Sequence, residues 1–475
     1  MPLPDVTPVI NDGALGILAA STSNVHVKIG VSSLGTVNTL YTFSDPKTLQ
    51  TTLGYGPVVE AAAHTLAVSG NQVIIVPVNA SVPGTTGATA YVRVAASTFT
   101  VTSTTAPLDG FAIVLTIITG AVSLAAALAS FTYSLDGGTT TSATIAIPVS
   151  GIYAIPNTGL SFTFVTGTFT AGDVATIACV APGYNATDLN AAFTALFASP
   201  LTWGFVHVVG EAASGAAQAA IASAVDVQMT AAATAFRYAF AIVEANDTDA
   251  ALTTAFASFV SLRVMVCAGR CTLTSQVSGR AYARNAAWPI AARLAKAPIA
   301  EDPGRVLSGP LPGVTAIARD EQATPALDAL KFTTLRTILA YAGFYVTNGR
   351  TMAAVGSDFT FIQNRRVMDA ACNIARARLV KTALNNSFRV DPITGFIFEN
   401  DARTLESDLD SILRAGLPVP QAASDVTVVT NRTTNILSTS KLTVAVRVLP
   451  LSYGKYITLD IGFTNPALAP KSPAT

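Results

Sequence analysis

The chain has 475 residues, enough for about three domains, and it is half hydrophobic but only 12% charged, against roughly 25% in an average globular protein. Solvent-facing surface demands charge, so this composition points to a molecule that covers much of its surface with copies of itself, or to an Ala/Thr/Ser-rich bias of genomic origin. Four scattered cysteines (Cys179, Cys267, Cys271, Cys372) exclude a disulfide framework. The zero net charge hides a polarity: residues 1–262 hold 4 basic and 13 acidic side chains and residues 263–475 hold 24 and 15, leaving −9 and +9. One end therefore suits an acidic partner, whether nucleic acid, an acidic protein surface or the acidic half of a neighbouring copy.

Residues 1–22 read as an arm, because Pro2, Pro4 and Pro8 prevent regular structure and Asn11-Asp12-Gly13 marks a turn. No basic stretch opens the chain, so no signal peptide is expected. Residues 23–83 begin an α/β body: an alternating strand at 25–31, a helical stretch at 46–69 interrupted at Gly54-Tyr55-Gly56-Pro57, and a buried apolar strand at 73–78. Residues 84–183 change character to Thr, Ser, Gly and alternating hydrophobics, an inserted all-β domain. Its clearest signal is the hairpin of 131–138 and 143–147 around Asp136-Gly137-Gly138, residues that accept the positive φ of tight turns. Phe111–Phe131 has 21 residues without charge, but Thr116, Thr119, Gly120, Ser123 and Ser130 interrupt it, so it reads as two strands and a linker and not as a membrane span.

Residues 184–435 form the main body. Strands at 206–209, 238–243 and 263–267 alternate with helices at 214–235 and 247–258, the latter capped by Asn246 or Asp247, which implies parallel pairing through right-handed crossovers. A further helix is expected over 281–297, interrupted near Pro289, and a Pro/Gly-rich loop over 298–313. The helix over 363–387 carries an apolar stripe of Val367, Ala371, Ile374 and Leu379, with Arg365, Arg366, Arg376, Arg378 and Lys381 on its polar side. A shorter helix over 403–415 ends at Gly416 and Pro418.

Residues 436–475 close the chain. Leu442–Pro450 and Lys455–Phe463 both read as strands, and in the second Ile457, Leu459, Ile461 and Phe463 share one face. So late a strand, with little of its own chain left to pair with, suits strand addition to another subunit as well as it suits an ordinary terminal hairpin.

Catalytic signatures are missing. No phosphate-binding loop, nucleophile elbow, zinc-protease motif or calcium loop occurs, and Gly54-Tyr55-Gly56 is a turn lacking the third glycine of a dinucleotide fingerprint. Cys267 and Cys271 have a loose metal-like spacing without a second pair, and His26, His64 and His207 are isolated; buried thiols and a satisfied core histidine are the plainer reading. The arginine-bearing helix has no aromatic partner for stacking bases. No enzyme activity, cofactor, metal or direct nucleic-acid contact is therefore expected.

Several stretches in chain order resemble tail sheath proteins of contractile phage tails and related injection systems. They are "VKIGVSS", "LQTTLGYGPVVEAA" and "NQVIIVPVN" near the start, the "FTYSLDGG" hairpin, "GFYVTNGRTMAAVGSDFTFIQNRRVMD", "FRVDPITGFIFENDAR" and the closing "NRTTNILSTSKLTVAVRVLPLSYGKYITLDIGFTNP". The resemblance implies an α+β multidomain protein: an α/β body with a mixed sheet, an inserted all-β domain, and N- and C-terminal strand-donating arms. It implies stacked hexameric rings around an inner tail tube protein, with baseplate and tail terminator proteins as further partners and no membrane. Contraction would drive the tube through a bacterial envelope, in a virion tail assembled in the host cytoplasm. The intersubunit strand would be Ile457, Leu459, Ile461 and Phe463, and the tube-facing residues Arg403 and Arg414. A decoration protein or adhesin built on the β domain, or an α/β enzyme with an unrecognised site, are the alternatives.

Overall fold

The computed structural model describes residues 24–463 apart from 95, 96, 104, 125–127 and 166. The N-terminal arm over 1–22 and the last residues of the C-terminal arm therefore lie outside the described residues. The centre is a six-stranded sheet in the order Val264–Ala268, Phe240–Ala245, Phe205–Val208, His26–Gly30, Val73–Pro77 and Tyr41–Phe43. All neighbours pair in parallel except the edge strand Tyr41–Phe43, so the sheet is mixed. These strands are near-continuous Val/Ile runs because both faces are covered by helices. Val27, Ile29, Val206, Val208 and Val243 face a layer made by α3 (Ala186–Ala198), α4 (Gly215–Thr234) and α5 (Asp249–Ala255). Ile75, Phe205, Phe240, Ile242 and Met265 face the other layer, made by α1 (Pro46–Leu53), α2 (Pro57–Ser69) and α6 (Ala287–Lys296).

Local chemistry sets the boundaries. Asp45 caps α1, Asn185 and Asp188 form a capping box on α3, and Ser214 caps α4. The cap of α5 is Thr248, not Asn246 or Asp247 as expected from sequence. Asp247 is already spent on the Gly215 N–H (2.8 Å), which ties the start of α4 to this loop. The helix expected over 281–297 is also corrected. Ala281–Asn285 is a strand antiparallel to Arg270–Thr274, and α6 starts only at Ala287. The alternation of buried Tyr282 and Arg284 with exposed Ala283 is a strand period, and Pro289 is tolerated because it sits in the first helical turn, where its missing N–H has no partner.

Residues 84–183 carry two antiparallel sheets around a cluster of their own that includes Phe99, Phe111, Phe131, Phe162 and Phe164. The span 111–131 resolves into strands Phe111–Thr119 and Ser130–Ser134, and the second pairs with Ile145–Ala146 across the Asp-Gly-Gly turn. The segment leaves and re-enters the body at one point: Val82 and Gly183 exchange both backbone hydrogen bonds (3.1 and 2.8 Å). It is also fastened by a buried ion pair, Arg284 Nη1 to Asp109 Oδ1 at 2.9 Å, with the guanidinium 4.7 Å from the Tyr282 ring centroid and 5.0 Å from that of Trp288.

The C-terminal part packs α7 (Ile362–Thr382) and α8 (Glu399–Gly416) with the hairpin Asp425–Thr430/Val444–Leu449. Here the polar side assigned to α7 needs correction. Arg365 and Arg366 are buried: Arg365 pairs with Asp369, and Arg366 donates to the Leu294 carbonyl (2.9 Å) and to Asn24 Oδ1 (3.0 Å). They belong to the joint between α7 and the body, whereas Arg376 and Lys381, further along, are exposed. Among the described residues no helix is long and apolar enough to cross a membrane.

Candidate assembly surface

A row of titratable groups across the central sheet is sealed. Lys28 Nζ lies 2.9 Å from His207 Nδ1, His207 Nε2 lies 3.1 Å from Glu244 Oε1, and Trp288 Nε1–H donates to the same oxygen at 2.7 Å. An ammonium can only donate, so a charged Lys28 fixes His207 as the Nε2–H tautomer, which donates to Glu244. Burial pulls Lys28 down to about 7 and pushes Glu244 up to about 8. Burial also pulls His207 well below its usual value. This row is wholly buried, so it serves as a satisfied polar core, as the sequence suggested for His207. Cys267 and Cys271 are buried thiols, and burial pushes Cys271 up to about 12. Among the described residues no group of three or more His, Cys, Asp or Glu is placed to hold a metal ion.

The exposed chemistry lies at the C-terminal hairpin. α8 buries Ala402, Leu405, Leu409 and Leu413, a helical stripe, of which Leu409 and Leu413 pack with this hairpin. The Asn431 N–H donates to the Thr443 carbonyl (2.8 Å), which sets the phase of the antiparallel ladder. In that phase, residues 426, 428 and 430 on one strand and 444, 446 and 448 on the other turn their N–H and C=O groups outward. The first edge is blunted by side chains. Arg414 donates to the Val426 carbonyl (2.5 Å), the Thr430 N–H donates to Glu406 (2.5 Å), and Arg432 donates to the Thr430 carbonyl (3.0 Å). Along the second edge, Val444, Val446 and Val448 have no outward hydrogen-bond partner among the described residues. Their side chains are only half-buried over Leu409 and Leu413.

The arm root is held in place. Residues 451–456 line a groove of about 1180 Å³ together with Ala300, Asp302, Asn348 and Phe361. There Tyr453 donates to the Ala300 carbonyl and Lys455 pairs with Asp302, donates to Asn348 Oδ1 (2.9 Å) and sits 4.9 Å from the Phe361 ring centroid. Beyond it, Ile457, Leu459, Ile461 and Phe463 are 85, 76, 81 and 110% exposed and adopt no strand in the isolated chain. Burying four such side chains is worth roughly 6–12 kcal/mol gross. Ordering the seven residues costs about 1–2 kcal/mol each, so the segment has no reason to order until a partner supplies ladder hydrogen bonds as well.

The two arginines expected to face a tube lie 11 residues apart on α8, about three turns, and so on one side of the helix. They are not equivalent. Arg403 is 73% exposed and among the described residues pairs only with Glu399 (2.6 Å), one turn away. Arg414 bridges Asp410 (2.7 Å) and Asp425 (2.8 Å) besides capping Val426, so it also holds the hairpin to the helix. Hydrogen bonds from Arg432 and Arg403 hold the Glu399 carboxyl down at about 2. The sequence reading missed the strand Asp425–Thr430, although its Val426, Val428, Thr430 alternation was visible. It also missed the anchoring roles of Tyr453 and Lys455, which depend on contacts 153 residues away.

The family model described as DUF2586, N-terminal domain, matches residues 3–350, and that described as DUF2586, C-terminal domain, matches residues 358–468. The chain belongs to this family. No curated protein matches it. Among solved structures it is similar to the anti-feeding prophage (AFP) baseplate in its contracted state, with 12% identity, a TM-score of 0.53 and 97% of each chain covered. It is similar also to the AFP helical sheath in the contracted state (12% identity, TM-score 0.52, 97% of this chain and 99% of that one). A third is the contracted PVC sheath complex of an extracellular contractile injection system (10% identity, TM-score 0.52, 97% and 98% covered). The likeness is one of fold: a mixed α/β chain with the fold of contractile-system sheath proteins.

Proposed function

We propose that the chain is the sheath subunit of a contractile tail or injection machine. Copies stack as hexameric rings around an inner tail tube protein, between baseplate and terminator, in a virion tail or related particle assembled in the bacterial cytoplasm. Contraction repacks these rings and drives the tube through a bacterial envelope. The observation that carries the reading is the pairing of an open strand edge at Val444–Leu449 with an exposed, strand-patterned segment at 457–463 that its own chain leaves unpaired. An open edge is costly to leave bare, and a donated strand from a neighbour satisfies both halves. No bound nucleotide is needed, because the work is stored as a difference between two packings of one lattice. The body of each subunit stays intact while the joints between subunits change. Arg403, and with it the outer side of α8, faces the tube. Negative-stain imaging of the concentrated protein tests the reading. Striated hollow tubes or stacked rings are expected, and a protein that stays monomeric at every concentration overturns it.

A further inference from the structure

The open edge and the free segment carry complementary patterns that define how they meet. On the strand Val444–Leu449, Val444, Val446 and Val448 face the α8 side, while Ala445, Arg447 and Leu449 face solvent. In the segment 457–463, Ile457, Leu459, Ile461 and Phe463 share one parity, and Thr458, Asp460 and Gly462 take the other. Each strand thus holds one charge: Arg447 on the first and Asp460 on the second. Neither has an ion-pair partner among the described residues of its own chain. We propose that segment 457–463 of a second copy adds to the Val444–Leu449 edge in the register that sets Asp460 beside Arg447. This rests on the reading of the arm as a strand given to a neighbour's open edge, and it adds the register and the residue pair that fixes it.

The register follows from period two. With Asp460 opposite Arg447, three of the four apolar arm residues fall opposite Val444, Val446 and Val448 in either strand direction, and the apolar face over Leu409 and Leu413 extends by one strand. A slip of one residue would turn Ile457, Leu459, Ile461 and Phe463 to solvent and Asp460 onto the apolar face. A slip of two keeps the faces but separates the charges, so the ion pair selects among the allowed registers. The other edge is a poor acceptor, since Arg414, Glu406 and Arg432 already occupy its outward groups. The donor's own edge stays unpaired in the isolated chain, where Tyr453 and Lys455 pin the arm root to Ala300 and Asp302.

Charge reversal in the full chain tests this. Arg447→Asp or Asp460→Arg alone places like charges side by side and should weaken each contact about five-fold, raising the concentration at which the protein assembles. The double reversal should restore assembly. In a Cys372→Ser background, Arg447→Cys with Asp460→Cys should form disulfides between chains, read as a ladder of multimers even where only small oligomers form. If both single reversals assemble normally while truncation after Tyr456 abolishes assembly, the register is wrong and the donated strand stands. If the truncated chain assembles like the full one, the donated strand itself falls. A disulfide formed within one chain overturns the proposal, since the segment then closes on its own hairpin.

Discussion

The central sheet and the C-terminal hairpin treat their polar groups in opposite ways. In the sheet, Lys28, His207, Glu244 and Trp288 satisfy one another out of reach of water, and every strand but the edges is paired on both sides. In the hairpin, two strands stand alone, one edge is blunted by arginine and glutamate side chains, the other is left bare, and the segment that follows is free and rich in apolar residues. The sheet satisfies its polar groups within one chain, and on the proposed reading the hairpin is completed by another copy. That reading puts stability and assembly in different residues, which can be changed separately.

The strongest break in that separation comes from the free segment. Truncation after Tyr456 removes no buried side chain among the described residues, so the melting temperature should stay within a degree or two while assembly is lost outright; sedimentation velocity and a thermal melt on one sample check both halves. Next is the sealed row. Lys28→Met leaves the buried His207 Nδ1 without its donor and should cost about 3 kcal/mol at neutral pH, where Glu244, pushed up to about 8, is itself largely uncharged; urea unfolding measures it.

A smaller effect depends on pH. Burial pushes the Glu60 carboxyl from 4.5 up to about 7. Between those values the folded chain holds a proton that the unfolded chain has lost, so this group's contribution falls as pH rises from 4.5 through 7. Glu60→Gln should remove that slope, raising stability at pH 8 by up to about 3 kcal/mol and leaving it unchanged at pH 4. Denaturant midpoints across the pH range give the answer. The smallest change in stability is expected for Arg403→Glu, within about 0.5 kcal/mol. Its co-sedimentation with tube should nevertheless weaken and lose its dependence on salt. Equal co-sedimentation at every ionic strength would take α8 off the tube face. Arg414→Glu is a poor probe of that face, since it opposes Asp410 and Asp425 and uncaps Val426.

Much of the body was legible because burial on both faces leaves a plain mark. The runs at 73–78 and 206–209 and the Asp-Gly-Gly hairpin appear close to where they were expected. Pairing at a distance left no such mark. Lys28 and His207 interrupt apolar strands visibly, yet nothing in either strand says that they meet, 179 residues apart. Arg365 and Arg366 look like a solvated helix face until the loop carbonyls that receive them are known. The parity of Ile457, Leu459, Ile461 and Phe463 was readable, but a strand pattern names a face and not a partner.

The exchange of hydrogen bonds between Val82 and Gly183 has a consequence for engineering. In such a pair the two Cα atoms stand about 5.5 Å apart, so the body holds one hundred residues through a port the width of a single strand pair. Any compact module with adjacent ends could be grafted there without stretching the sheet strands on either side. Two further demands travel with the graft: an apolar group must cover Tyr282, which packs on Phe111, and an acid must reach Arg284, or that arginine must be replaced as well, because without Asp109 its charge would be left stranded beneath Tyr282 and Trp288.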